Sequence, residues 1–168
     1  VLTQTFNSGL GTWTAVNNST GGTPSLAAWT LRADGYNYNN GSDLFIFHSN
    51  DNSQFVLTNS DAQGSGGITN TELKSPAFST VGYTTLNLSL FHYFEVITGD
   101  LAKVEVSTNG IIWTTVKTYS SNQGLENSFV NDNINLDTYV GNATLYVRFK
   151  YTAGYGYLWA IDNVMVSG

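Results

Sequence analysis

One carboxylate sits out of place in the sequence. Asp162 lies within Tyr157-Leu-Trp-Ala-Ile-Asp-Asn-Val-Met-Val166, and in a regular strand it shares its phase with Leu158, Ala160, Val164 and Val166. An unpaired carboxylate on an apolar face is costly. The position therefore calls for hydrogen bonds from backbone amides or Ser/Thr hydroxyls, or for an oxygen-seeking cation such as calcium. Spacing does not choose between the two, and no EF-hand pattern is present.

A second set of residues is aromatic. Tyr36 and Tyr38, like Tyr155 and Tyr157, are two apart in Gly/Asn-rich segments, so each pair can project from one face. With Asp34, Asn37 and Asn39 beside the first pair, the rings suit stacking on sugar C–H faces while the polar groups take hydroxyls. The alternative is that the rings cap the end of a packed core. Tyr36, Tyr38, Asp34 and Asn39 form the candidate ligand site.

Catalytic signals are sparse. His92 is in phase with Leu90 and Phe94, the setting of a core or sheet-end histidine rather than of a base or metal ligand. Glu95, Asp100 and Glu105 could supply a hydrolytic carboxylate pair, but Glu105 shares an outward phase with Lys103, as on a solvated face. There is no Gly-x-Ser-x-Gly elbow, no His-Glu-x-x-His, no phosphate loop and no cysteine nucleophile. The expectation is a protein that binds rather than catalyses, with a carboxylate-based hydrolase as the remote alternative.

Composition bounds the partners. The 168 residues suit one domain, 1–168, with a core that needs no disulfide. Charged residues make up only 11%, so Asn, Ser, Thr and Gly must form the surface. A formal charge of -6 offers no basic patch for nucleic acid or anionic lipid, and no apolar run is long enough to insert in a membrane.

The elements that must position these residues are strands. Leu86, Leu88, Leu90, His92 and Phe94 alternate with Asn87, Ser89, Phe91, Tyr93 and Glu95, which predicts a central strand. Ala102, Val104 and Val106 alternate with Lys103, Glu105 and Ser107 before the turn residues Asn109-Gly110, and Ile111–Thr118 is expected to return as the hairpin partner. Thr144–Tyr151 alternates cleanly and is expected to pair with 157–166. Short strands are expected at 44–47 and 55–57, an exposed polar loop at 33–41, a mobile loop at 59–70, and an edge segment at 71–78 because of Pro76. Residues 119–137 read as a loop anchored by Phe129 and Leu136. No helical period is sustained, so the fold class is all-β, a two-sheet antiparallel β-sandwich of jelly-roll type.

Several of these stretches also carry a family likeness. Leu90-Phe-His-Tyr-Phe94, Gly99-Asp-Leu-Ala-Lys-Val-Glu-Val-Ser-Thr-Asn-Gly110 with Trp113, Val147-Arg-Phe-Lys-Tyr151 and Trp159-Ala-Ile-Asp-Asn-Val164 resemble the cleaved-adhesin or MAM-like jelly-roll domains of secreted Bacteroidetes proteins. The likeness extends to Thr5-Phe-Asn-Ser8 with Trp13 and to Leu73-Lys-Ser-Pro-Ala-Phe78. It implies a monomeric module of a larger extracellular or cell-surface protein, such as the adhesin regions of gingipain-type proteases. Such a module recognises a glycan or a surface protein, or acts as a spacer against neighbouring modules. It also implies a structural calcium ion, with Asn7 and Asn17 approaching Asp162 if the terminal strands pair as in the family. Two departures are visible: Asn7 stands where the family often has an acidic residue, and the disulfides of animal MAM domains are absent.

Overall fold

Alternation of apolar and polar side chains produces thirteen strands in the computed structural model, which describes residues 1–168. They are β1 (Leu2–Gln4), β2 (Thr14–Asn17), β3 (Thr30–Arg32), β4 (Tyr36–Asn39), β5 (Leu44–Phe47), β6 (Phe55–Asn59), β7 (Thr69–Lys74), β8 (Asn87–Glu95), β9 (Leu101–Ser107), β10 (Thr114–Tyr119), β11 (Val130–Asn135), β12 (Tyr146–Ala153) and β13 (Leu158–Ser167). The first sheet runs β11-β8-β13-β6-β3, with β1 alongside β13. The second runs β10-β9-β12-β7-β2, and all pairings are antiparallel. The expected β-sandwich is the fold observed.

Between the sheets, Leu88, Leu90, Phe94 and Ile161 meet Leu73, Val104, Val147, Phe149 and Tyr151. Trp159 is the hub, edge-on to Phe149 at 5.8 Å, Phe94 at 6.3 Å, Tyr119 at 6.1 Å and Trp29 at 5.5 Å. Burying each aliphatic or phenyl side chain contributes about 1.5–3 kcal/mol, so this layer is the principal stabilising element.

The first sheet is also covered on its outer face. The hairpin β4–β5 pairs only with itself and packs Phe45 and Phe47 against Phe55, Leu57, Tyr93, Phe129, Leu158 and Ala160. This second, aromatic core is why 157–166 is apolar on both faces.

Local expectations fail where tertiary contacts override the local pattern. Part of the expected polar loop at 33–41 is β4, and β11 forms within the expected loop 119–137, although Phe129 and Leu136 are buried anchors as read. β10 starts only at Thr114, leaving Ile111 and Ile112 exposed in the turn. β12 and β13 do not pair, because residues 154–157 carry the chain from one sheet to the other. β7 is interior, flanked by β12 and β2, and Pro76 falls beyond its end. The expected mobile loop at 59–70 holds a helical turn, Ser60–Gln63, capped by Asn59, whose Oδ1 accepts from Ala62 N at 2.8 Å. The Gln63 amide donates to Thr20 O and Gly21 O at 2.8 and 2.9 Å, and its Oε1 accepts from the Thr69 hydroxyl at 2.6 Å. Those bonds pin the segment to the sandwich.

Candidate functional site

The outer face of the first sheet is not wholly roofed. Where hairpin β4–β5 ends beside β8, a cleft of about 320 Å³ remains, lined by Asp43, Leu44, Phe45, Tyr93, Glu95, Asn122, Gly124, Leu125 and Glu126. Tyr93 and Glu95 come from one face of β8 by simple alternation, and the Tyr93 hydroxyl donates to Glu95 Oε2. Phe45 forms one wall, backed by the ring of Tyr157 at 6.1 Å. Segment 122–126 forms the other. It is fixed by Phe94 N donating to Gln123 O at 2.9 Å, by the reciprocal Gln123 N to Phe94 O at 2.8 Å, and by His48 N donating to Glu126 O at 3.0 Å. Gly124 allows this approach: it has φ 65, and a Cβ there would lie 2.9 Å from Ser128 O and 3.0 Å from His92 O and Val130 N.

Three carboxylates and no Lys or Arg line the cleft. Burial, then the bond to Glu95, lifts the Tyr93 hydroxyl far above the usual phenol range. Burial, then the charges of Glu95 and Asp43, also raises Tyr157. Carboxylates here accept hydroxyl donors while Phe45 offers an apolar wall, the pairing of groups that holds a polar ligand with apolar faces. Glu95 and Tyr93 were legible as sharing one face of a central strand. Nothing local in the sequence indicates that Asp43 and Glu126 join them.

The four residues of the tyrosine site lie outside this lining. Pairing of β4 with β5 turns both rings inward, while Asn37 and Asn39 face out. Tyr36 rests on Phe47 at 5.9 Å with the Arg32 guanidinium 4.4 Å above it. Tyr38 stacks on Phe45 at 6.0 Å, and its hydroxyl donates to Asp61 Oδ2 at 2.8 Å. Asp34 Oδ1 is 3.0 Å from His48 Nδ1, and Asn39 Oδ1 accepts from Gly41 N at 2.7 Å. Tyr36 and Tyr38 are thus held by packing, Asn39 by a turn and Asp34 by its pairing with His48, and Tyr38 backs the Phe45 wall of the cleft.

Asp162 keeps the phase of Leu158 and Ala160 but not that of Val164 and Val166. Asn163 adopts φ 47, and the β13–β8 register shifts between Asp162 and Met165. This bulge changes the phase by one residue. Trp159 and Ile161 before it and Val164 and Val166 after it enter the sandwich, whereas Asp162 points outward with Leu158 and Ala160, beneath the 48–53 loop. The residue is fully buried. Its Oδ1 accepts from Asn163 N at 2.8 Å, and its Oδ2 has a long contact, 3.4 Å, with the Ser53 hydroxyl. Burial, reinforced by the charge of Asp51, pushes its pKa up to about 6. Asn163 Nδ2 donates to Asp51 Oδ2 at 2.8 Å and to Asn50 Oδ1 at 3.3 Å, and the Ser49 hydroxyl donates to Asp51 Oδ1 at 3.2 Å.

The amino-terminal asparagines do not complete this group. Asn17 lies on β2 in the opposite sheet, donating to Pro24 O at 2.8 Å and accepting from Ser19 N at 3.1 Å. Asn7 is exposed in the turn after Phe6, as β1 leaves β13. The oxygen groups that meet Asp162 come from residues 49–53.

The other carboxylates of the hydrolase alternative are dispersed. Asp100 is buried, accepting from Ile97 N at 3.0 Å, Tyr157 N at 3.2 Å and the Tyr151 hydroxyl at 3.3 Å. Glu105 is not solvated as expected; Arg148 and Thr115 clamp it on the outer face of the second sheet, where Arg148 also bonds Glu72 at 3.1 Å and lies 4.3 Å over Trp113. Strands of that sheet carry five of the six basic residues, Lys74, Lys103, Lys117, Arg148 and Lys150.

Comparison with solved structures shows that the fold is shared. The K1 cleaved adhesin domain of Lys-gingipain from Porphyromonas gingivalis W83 superposes with a TM-score of 0.64 at 13% identity, covering 99% of this chain and 97% of that one. TmCBM61, solved with β-1,4-galactotriose, gives 0.56 at 12% identity over 97% and 93%. The C-terminal family 22 carbohydrate-binding module of Clostridium thermocellum Xyn10B gives 0.52 at 15% identity over 99% and 92%. No protein-family model matches the sequence, and no curated protein is similar to it in sequence. The shared property is the fold, which is cleaved-adhesin-like.

Proposed function

We propose that this cleaved-adhesin-like domain is a non-catalytic glycan-binding module, an extracellular or cell-surface unit of a larger protein, whose ligand occupies the cleft between β5, β8 and segment 122–126. The observation that carries the reading is the convergence of Phe45, Tyr93, Glu95, Asp43 and Glu126 on one open cleft. Sugar hydroxyls donate to the carboxylates while C–H faces rest on the aromatic wall. The carbohydrate-binding modules of the same fold support it.

Calcium is the structural cation of this reading. The groups that would hold it are the carboxylates of Asp162 and Asp51 and the neutral oxygens of Ser49, Asn50 and Ser53. When bound, the ion would neutralise a buried charge and tie the 48–53 loop to β13, steadying the adjoining β5.

A spacer or adhesin role has its own observation in Ile111 and Ile112, 81% and 72% exposed at the β9–β10 turn, where a protein neighbour could dock. A glycan array that includes β-1,4-galactotriose separates the two. The glycan reading expects a hit whose affinity falls by about 1.5–3 kcal/mol in Glu95→Gln, the range for a hydrogen bond to a charged group. Absence of any hit, or a hit indifferent to Glu95→Gln, overturns it.

A further inference from the structure

The charges in the cleft narrow the class of sugar. Asp43, Glu95 and Glu126 reach it from three separate segments, the β4–β5 turn, β8 and the 122–126 wall, and no cation lines it. The Tyr93 hydroxyl is already spent on Glu95, so it adds no positive end to an incoming anion. At the rim the exposed Leu44 and Leu125 stand beside the exposed Asp43 and Asn122.

We propose that the cleft selects glycans bearing a free amine, cationic amino sugars, and rejects those bearing carboxylate or sulfate. This deepens the glycan reading and rests on it. An ammonium group donates three hydrogen bonds and is attracted by all three carboxylates, whereas an N-acetyl group removes the charge and a uronate adds a repulsive one. Neutral sugars bind through hydroxyls alone and fall between.

The test uses matched oligosaccharides of the gluco and galacto series, each as free amine, N-acetylated amine, neutral sugar and uronate, titrated calorimetrically into the intact domain. The expected order is amine above neutral above uronate, with an advantage of about tenfold or more for the amine at low salt that shrinks as salt rises. The double variant Asp43→Asn, Glu126→Gln removes two carboxylates that also accept hydroxyls, so it should weaken amine binding more than neutral binding and shrink the amine advantage. Equal affinity for amine and neutral sugars, or an amine advantage undiminished in the double variant, overturns the charge selection and leaves the glycan reading intact. No binding by any member overturns both.

Discussion

Trp159 Nε1 donates to His92 Nδ1 at 3.3 Å across the β13–β8 pair, which fixes the imidazole as the tautomer protonated on Nε2. That Nε2 is buried and has no hydrogen-bond partner in the protein, and the Tyr119 ring lies 4.5 Å from the imidazole. The histidine that sequence phase assigns to the core is a neutral packing group held at some cost.

This setting makes stability depend on acid. Burial is the chief cause lowering His92 to about 4; Lys117 adds to it, and Asp132 opposes it. The unfolded chain takes up its proton near pH 6.5 while the folded one does not. His92 stabilises the fold in full above about 6.5, and that contribution is lost as pH falls toward about 4, about 3 kcal/mol in all. In His92→Gln, which keeps an acceptor for Trp159 but does not titrate, denaturation across this window should show a correspondingly flatter pH dependence. An unchanged slope contradicts the assignment.

Calcium should raise the melting midpoint of the wild-type domain, by about 2.7 kcal/mol at a hundredfold excess over the dissociation constant. In chelator, Asp162→Asn should melt no lower than wild type, because it removes a buried charge, and it should gain nothing from added calcium. Asp51→Asn should likewise blunt the response, whereas Asn17→Ala should not. Scanning calorimetry with and without chelator checks all three; a calcium response that persists in Asp162→Asn counts against the site.

Tyr38→Phe should destabilise the domain by about 1.5 kcal/mol, since Asp61 loses the phenol donor. Glycan affinity should be unchanged, because the Tyr38 ring still backs Phe45. Urea unfolding and titration of the same preparation decide it: weakened binding without loss of stability would return Tyr38 to the ligand site.

The sandwich was legible because its inner residues obey period two. Leu88, Leu90, His92 and Phe94, and likewise Val147, Phe149 and Tyr151, are buried as alternation requires. Strands poor in aliphatic residues were missed. β4 reads Tyr-Asn-Tyr-Asn and β11 reads Val-Asn-Asp-Asn-Ile-Asn, both Asn-rich, and their pairing energy comes from neighbours distant in sequence. Asp162 was correctly singled out as a buried carboxylate, but one residue with positive φ, Asn163, re-phased the strand and changed its neighbours. The cleft was least legible: its carboxylates belong to segments that only the folded chain brings together.

The uneven placement of basic residues has a consequence for how the molecule orients. The strands of the second sheet hold five basic and two acidic residues, a net of three positive charges, while the rest of the chain holds one basic and ten acidic, a net of nine negative. The domain is thus an electric dipole whose negative pole includes the cleft. Near a polyanionic envelope, at ionic strengths where the Debye length is about 10–30 Å, the field exerts a torque that turns the second sheet toward the anionic layer and leaves the cleft facing the medium.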